Sequence, residues 1–367
     1  MSDELVIDAR WLKTGIGRYT FALVKGLKAS LSGIKITCIS QSQNADTLSH
    51  YCDEIIISNI DIYSFREQLI LPWIARRRAI FYAPHYNIPL LWRGKLIATI
   101  HDLNHILDAT YRNALKSRLY AKPMLKATVD KADVIVTPSN YTKRMLQEHL
   151  HADSSRVTVI PCPVSDVFCA YEKKESRQLI ASLYNIGSPY ILFVGNLAPN
   201  KNVPLLLDSI SRLRRSRRDV PILVIVGGGG KRKQRLQAYA GELGLHNAVV
   251  WLEEISNHAL ARLYSAAEMT VMPSLEEGFG LPVAESMACG TPVICSNAAS
   301  LPEVAAGAAI SFDPYSPENL TEAIATLLDS ADMRQKAIAS GLRRAKDFSL
   351  DQFAKQQTLA INKLISV

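Results

Sequence analysis

Apolar runs of four to six residues, each followed by a stretch with helical spacing, recur along nearly the whole chain. That alternation predicts parallel α/β architecture. In the first half the runs are LVID (5–8), IKITCI (34–39), EIIIS (54–58), AIFYA (79–83), LIATI (96–100), DVIVT (133–137) and VTVI (157–160), with helices at 17–30, 64–76, 112–129 and 140–150. A second series follows: YILFVG (190–195), ILVIVG (222–227), AVVWL (248–252), MTVM (269–272), PVICS (292–296) and AAISF (308–312). Its helices fall near 203–217, 232–243, 257–266, 282–289 and 317–329, and helical stretches at 332–346 and 350–365 close the chain without a further strand. Residues 166–188 are charged, carry no strand pattern and read as a linker. The expectation is two doubly wound, Rossmann-like α/β domains, 1–168 and 186–348, facing a cleft, with a terminal helix in 349–367 packing back on the first domain. In such sheets ligands bind outside the carboxyl ends of the strands.

Composition narrows this reading. A length of 367 residues, 48% of them apolar, suits two domains with a core each. The chain opens on the charged stretch MSDELVIDARW, unlike a signal peptide. No apolar run approaches the ~18 residues of a membrane span. The six cysteines form no C-x-x-C pair, which predicts free thiols in a reducing compartment and hence a cytoplasmic protein. The net charge of +8 is uneven: residues 1–165 hold 21 Lys/Arg against 14 Asp/Glu, and residues 166–367 hold 21 against 20. A basic first half predicts attraction to an anionic surface, unless it is merely a solvated face. No helix-turn-helix, zinc-finger or RNA-binding signature points to nucleic acid.

Chemistry-bearing motifs follow directly after predicted strands. In D8-A-R-W-L-K-T-G-I-G-R-Y-T20, Gly15 and Gly17 precede a helix whose first turn carries Arg18, an arrangement that suits an anion at a helix N-terminus. A G-x-G turn alone is weak evidence, and Thr20 breaks the dinucleotide fingerprint. In H101-D-L-N-H105, His101 and Asp102 are neighbours on an extended chain and point apart, so His101 is read as a single ligand-facing group rather than half of a dyad; His85 is a weaker candidate. In G195-N-L-A-P-N-K201-N, Lys201 is placed at the start of a helix, where a cation is unfavourable unless an anion joins it. GGGGKRKQR (227–235) repeats that arrangement at an end where basic side chains simply solvate.

The stretch EEGFGLPVAESMACGTPVICS (276–296) is the most informative. Pro282 suits a first helical turn and Gly290 a left-handed end, so Gly278, Phe279 and Gly280 form the loop before a short helix. Glu277 precedes the glycines and Glu285 stands one turn into the helix. Backbone N–H groups flanked by two hydroxyl-accepting carboxylates suit a diphosphate with a sugar on each side, as in a nucleotide sugar.

With V-D-x-R…T-G-x-G-R-Y-T, A-T-I-H-D-L, F-V-G-N-L-x-P-x-K-N and the E-x7-E pair Glu277/Glu285, the chain resembles, over nearly its whole length, the family-4 retaining glycosyltransferases of GT-B fold. The resemblance implies that His101, Lys201 and Glu277 serve catalysis. It implies a donor site formed by Gly15, Gly17, Arg18, Asn196, Lys201, Glu277, Gly278, Phe279, Gly280, Leu281 and Glu285. Glu285 would hold the ribose, Glu277 and His101 the transferred sugar, and Lys201 the leaving diphosphate. Asn196 and Asn200 stand where many members place an arginine near the lysine, and Pro161-Cys162-Pro163 where an Asn-Gly is common. No D-x-D tripeptide occurs, so diphosphate charge falls to helix N-termini and Lys201, and no metal or other cofactor is expected.

Its G-N-L-x-P-x-K-N and H-D-L forms are similar to bacterial polysaccharide mannosyltransferases, which implies mannose from GDP-mannose passed to a saccharide or lipid-linked saccharide. A UDP-sugar with a small soluble acceptor, or a catalytically silent nucleotide-sugar-binding subunit, are the alternatives. A helix at 112–129, with Arg112, Lys116, Arg118, Lys122 and Lys126 beside Leu115, Leu119 and Tyr120, predicts peripheral association with the anionic inner face of a membrane.

Overall fold

The computed structural model describes residues 4–12, 14–75, 80–107 and 117–365. They form two compact units: one runs up to Pro163 and resumes at Leu350, the other spans Val164–Ser349.

The first unit holds a seven-stranded parallel sheet of β1 (Glu4–Asp8), β2 (Lys35–Ser40), β3 (Glu54–Ile57), β4 (Ile80–Ala83), β5 (Leu96–Thr99), β6 (Val134–Thr137) and β7 (Val157–Val159) in the order β3-β2-β1-β4-β5-β6-β7. The second holds a six-stranded parallel sheet of β8 (Tyr190–Val194), β9 (Ile222–Val226), β10 (Val249–Leu252), β11 (Met269–Met272), β12 (Val293–Ser296) and β13 (Ile310–Phe312) in the order β10-β9-β8-β11-β12-β13. Every registered strand pair is parallel. The unbroken apolar runs are explained by burial on both faces: β4, β5, β6, β11 and β12 are buried at every position, whereas the edge strands β3 and β10 are mostly half-buried.

The strand order fixes where loops meet. In each sheet the order reverses beside the first strand, between β1 and β4 in one unit and between β8 and β11 in the other. At such a switch point the loops leaving the two strands diverge to opposite faces and open a crevice.

The helix Leu350–Ile365 returns to the first unit and packs along the helix Thr14–Ser30. Its Gln357, fully buried, donates to Tyr19 Oη and accepts from Tyr82 Oη, both at 2.8 Å, while Thr358 meets Ser30 at 2.8 Å. A buried amide with both ends satisfied fixes the register of this helix.

The predicted helices shift modestly. Residues 166–188, read as linker, contain the helix Lys173–Tyr184, which belongs to the second unit. Its Arg177 donates to Ala266 O at 3.4 Å, and Tyr171 ahead of it carries the Arg262 guanidinium 3.9 Å from its ring centroid. Of the predicted helix 112–129, residues 112–116 lie outside the described residues. The rest is a π-helical turn Ser117–Ala121 followed by an α-helix Lys122–Lys131. Among the described residues no helix is long and apolar enough to cross a membrane.

Candidate active site

The loops leaving β8 and β11 are stitched together at the switch point of the second sheet. Leu275 N donates to Asn200 O at 2.7 Å, and Asn200 Nδ2 donates back to Glu276 O at 3.0 Å. This two-way clamp carries Lys201 to Glu277, and their side chains form an ion pair in which each is only about one-tenth exposed. Glu277 also accepts from Ser274 Oγ at 2.8 Å, and Ser274 O in turn accepts from Ser296 Oγ at the end of β12 at 2.5 Å. The carboxylate is therefore held by two donors on a backbone that is itself anchored, which is the preorganisation an electrostatic site needs.

Lys201 does not begin the long helix, as its position in sequence suggested. It ends the 3-10 turn Pro199–Lys201, and Asn202, left-handed at φ 53°, separates it from the helix Val203–Ser216. The Pro199 ring and the Ala198 carbonyl, which accepts from Lys201 N at 2.9 Å, tighten this turn. Asn196 has its side-chain oxygen occupied by Ala198 N at 3.1 Å, an Asx turn that shapes the same loop.

The helix after the glycines is Leu281–Ala288, one residue earlier than its pattern suggested. Gly280, at φ 92°, starts it in a conformation L side chains avoid, and an added Cβ would lie 2.4 Å from Leu301 Cδ2. Phe279 is buried and packs edge-on against Phe348 with centroids 5.4 Å apart, so its ring anchors the loop. Glu285 is buried on this helix and accepts from Tyr264 Oη at 3.1 Å. Tyr264 is itself fixed, for its carbonyl accepts from Thr291 Oγ1 at 2.6 Å. Lys201, Glu277 and the Gly278–Leu281 loop are thus brought together, with Glu285 on the helix that the loop opens.

In the first unit the loops leaving β1 and β4 also share a switch point. Arg10 holds Asp8 through two 2.8 Å bonds and Glu67 at 3.0 Å, all three buried. Glu67 further accepts from Asn87 Nδ2 at 2.6 Å and Tyr63 N at 3.0 Å. Burial raises the Asp8 carboxyl, but the adjoining guanidinium outweighs it and holds the group below the usual range. His85 is pushed down to about 4 by burial, with Asp8 opposing and His101 and Arg10 adding to the shift. Its Nδ1 accepts from Asn87 N at 3.0 Å, so its proton sits on Nε2.

His101 lies 2.8 Å from Pro84 O through Nε2 and edge-on to Tyr19 at 4.7 Å. A carbonyl only accepts, so Nε2 is the protonated nitrogen, and burial lowers the ring's pKa against the opposing Pro84 and Asp102 contributions. Asp102 accepts from Asn104 N at 3.0 Å and so caps the short turn beyond it. Gly15 is exposed, while Gly17 is buried where an added Cβ would sit 2.0 Å from the Leu12 carbonyl carbon. Arg18 lies near Cys162, whose thiol burial pushes up to about 12 against the pull of that guanidinium.

The sequence reading assigned no role to Asn200, Ser274, Ser296, Tyr264, Glu67 or Asn87. Asn200 carries a signal, standing where many members have arginine; the others make contacts more than fifteen residues distant, except the loop serine Ser274, whose bond to Glu277 no spacing marks. Among the described residues no group of three or more His, Cys, Asp or Glu is placed to hold a metal ion.

Two doubly wound parallel α/β units of this topology have the GT-B fold of glycosyltransferases. Residues 13–167 match Glycosyltransferase Family 4 and residues 178–344 match Glycosyl transferases group 1. O-antigen chain mannosyltransferase B of Escherichia coli is 26% identical over 370 residues, covering 96% of each chain. O-antigen chain mannosyltransferase RfbU of Salmonella typhimurium is 31% identical over 69% of this chain and 67% of its own. D-inositol 3-phosphate glycosyltransferase of Corynebacterium glutamicum is 30% identical over 75% of this chain and 68% of its own. Among solved structures, sucrose-phosphate synthase from Thermosynechococcus elongatus superposes over both whole chains with a TM-score of 0.80 at 20% identity. Anabaena HepE in complex with UDP and glucose gives 0.79 at 17%, again over both whole chains. The chain belongs to glycosyltransferase family 4, and it transfers a sugar from a nucleotide sugar.

Proposed function

We propose that the transferred sugar is mannose, drawn from GDP-mannose and passed with retained configuration to a saccharide or lipid-linked saccharide during cell-surface polysaccharide synthesis. The observation that carries this is the end-to-end match, 96% of each chain, to an O-antigen chain mannosyltransferase. The geometry gives the chemistry a physical form. As the glycosidic bond breaks, negative charge grows on the diphosphate and positive charge on the anomeric carbon. Lys201 neutralises the first, helped by the N–H groups of the Gly278–Leu281 loop at the start of its helix. Glu277, fixed by Lys201 and Ser274, orients the sugar hydroxyls and faces the positive charge. Glu285, held by Tyr264, takes the ribose. In the first unit, His101 supports the transferred sugar with a neutral ring, and Gly15, Gly17 and Arg18 serve the donor's anionic end. Asn196 and Asn200 shape the lysine's loop, leaving the charge to Lys201.

A second reading has one observation behind it: the D-inositol 3-phosphate glycosyltransferase relative favours a small phosphorylated acceptor, which suits the basic first half equally well. Incubating the protein with GDP- and UDP-sugars separately and following nucleoside diphosphate release tests the donor. Turnover of GDP-mannose above the others is expected; turnover of a UDP-sugar alone refutes the mannose assignment. Adding inositol phosphates against mannan oligosaccharides separates the acceptors.

A further inference from the structure

We propose that six aromatic rings gathered at the strand ends of the first unit form a stacking platform for the sugar ring of a neutral acceptor, and that this platform excludes phosphorylated acceptors. The inference rests on the glycosyl-transfer reading above and decides between its two acceptors.

Trp11 follows β1, Tyr63 follows β3, His85 and Tyr86 follow β4, and His105 follows β5, so all five lie beyond the carboxyl ends of their strands. Tyr120 joins them from the turn Ser117–Ala121. Tyr63 is central, with its ring centroid 5.6 Å from Trp11, 5.6 Å from Tyr120, 6.1 Å from His85 and 6.3 Å from Tyr86. His105 extends the cluster, 5.9 Å from Tyr86. His85 is buried, but the other five are half-buried, so each keeps part of its surface open. A layer of plain core would be closed over. Partly open rings with hydroxyl tips suit a pyranose, whose C–H face stacks on them while its hydroxyls meet the phenols.

The rings are fixed before any ligand arrives. Tyr63 N donates to Glu67 Oε1 at 3.0 Å, Tyr120 Oη to Asn87 Oδ1 at 2.5 Å, and Asn87 N to His85 Nδ1 at 3.0 Å. Thr128 Oγ1 donates to Tyr86 O at 2.6 Å, and Glu67 is itself held by Arg10. Such preorganisation reduces the ordering cost of binding. Tyr63 also keeps a left-handed φ of 65°, which a bulky residue adopts only where its surroundings demand that placement.

Two observations choose the ligand. Among the described residues Asn104 Oδ1, beside His105, is buried without a hydrogen-bond partner. A buried acceptor is costly until a donor completes it; a sugar hydroxyl is such a donor, and an ionised phosphate is not. Charge points the same way. The cluster meets the carboxylates Asp8, Glu67 and Asp102, while its cation, Arg10, has no exposed side-chain surface and is spent on the first two. Burial raises the Tyr63 phenol above its usual range, and Glu67 and Asp102 add to the shift against a bond from Tyr86, so the field at the rings is negative. A phosphate monoester is repelled there. The position is also useful. His101 Nε2 donates to Pro84 O at 2.8 Å, immediately ahead of His85 and Tyr86, so the rings adjoin the residue assigned to the transferred sugar.

The test titrates the full chain, saturated with the nucleoside diphosphate of its preferred donor, with mannotriose and with D-inositol 3-phosphate in a calorimeter. Mannotriose should bind, and D-inositol 3-phosphate should not compete with it. Trp11→Ala and Tyr86→Ala should each weaken mannotriose roughly fivefold, the contribution of one ring, and Trp11→Phe and Tyr86→Phe should recover most of that loss. Asn104→Leu should weaken mannotriose as well, yet melt no lower than wild type, because it removes an unsatisfied acceptor. No binding of mannotriose by the wild type, competition by D-inositol 3-phosphate, or unchanged affinity in both alanine variants would each overturn the proposal; a lowered Tm with that unchanged affinity would leave the rings a structural role. Failure here leaves nucleoside diphosphate release from the donor in place, whereas failure of the functional reading abolishes that release and leaves mannotriose binding to be measured.

Discussion

Glu277→Gln isolates the charge at the centre of the site. The amide keeps the length of the side chain and an oxygen to accept from Ser274 Oγ, now 2.8 Å from the carboxylate, but removes the negative partner of Lys201. Pairs fully exposed to water contribute up to about 1 kcal/mol, and stranding one member of a buried pair costs about 3–5 kcal/mol. With the side chains 13% and 11% exposed, this pair falls between, and a loss of about 1–3 kcal/mol is expected. For a unit of this size that lowers Tm by several degrees. On the proposed role of Glu277 at the transferred sugar, losing a charged hydrogen bond of about 1.5–3 kcal/mol should lower kcat ten- to a hundredfold. Affinity for plain nucleoside diphosphate should hold or tighten, because the Lys201 ammonium is no longer shared. Steady-state kinetics with the preferred donor and calorimetric titration with its nucleoside diphosphate read the two effects separately. An unchanged kcat, or a loss of nucleoside diphosphate affinity as large as that of Glu285→Gln, would refute the division of roles.

Tyr264→Phe strips the Glu285 carboxylate of a buried donor, and should raise donor KM several-fold with little change in kcat, as loss of uniform binding does; a fall in kcat at constant KM would count against a ribose role. Gly280→Ala combines a positive φ with a 2.4 Å clash against Leu301, so it should cost about 1–3 kcal/mol in thermal unfolding; Leu301→Ala is itself costly because Leu301 is fully buried, and the coupling in a double-mutant cycle should equal the clash alone. His85 is buried neutral with its pKa near 4 against 6.5 when unfolded, so the unfolded chain binds the extra proton between those values. Stability should therefore fall as pH drops from about 6.5 to 4, by up to about 3 kcal/mol from this group, with His101 shifted in the same direction. His85→Asn should flatten that slope in denaturant titrations across the same window, and an unaltered slope would remove His85 as its source.

The fold was legible because parallel strands buried on both faces leave unbroken apolar runs, as in β4, β5 and β11. Strand order is not written in such runs, so the meeting of Lys201 and Glu277, seventy-six residues apart, was reachable only through resemblance. The helix Lys173–Tyr184 was read as linker because its charged outer face dilutes the pattern, and few of its residues, Ser176 and Ile180 among them, are buried. The helix Phe65–Ile74 carries apolar residues on both its faces, which give no amphipathic signal, and only the packing of the folded chain separates buried Leu71 from exposed Trp73. The basic residues of 112–129 carry the stronger sequence signal, yet Tyr120 in that stretch bonds Asn87 in the strand-end cluster. Tyr264 and Ser274 had no sequence signal, since a tyrosine in an amphipathic helix and a serine in a loop acquire their roles only through the carboxylates they reach.

The place where the donor binds is the most direct point to measure. Calorimetric titration of the wild-type chain, Lys201→Met and Glu285→Gln with GDP-mannose tests this in one experiment, with each variant first shown to melt cooperatively. The expected result is saturable binding by the wild type and a ten- to a hundredfold weaker constant in each variant, the size of about 1.5–3 kcal/mol for a charged hydrogen bond. Wild-type affinity retained by both variants would contradict the account, because the donor would then be held elsewhere than on the loops that leave β8 and β11.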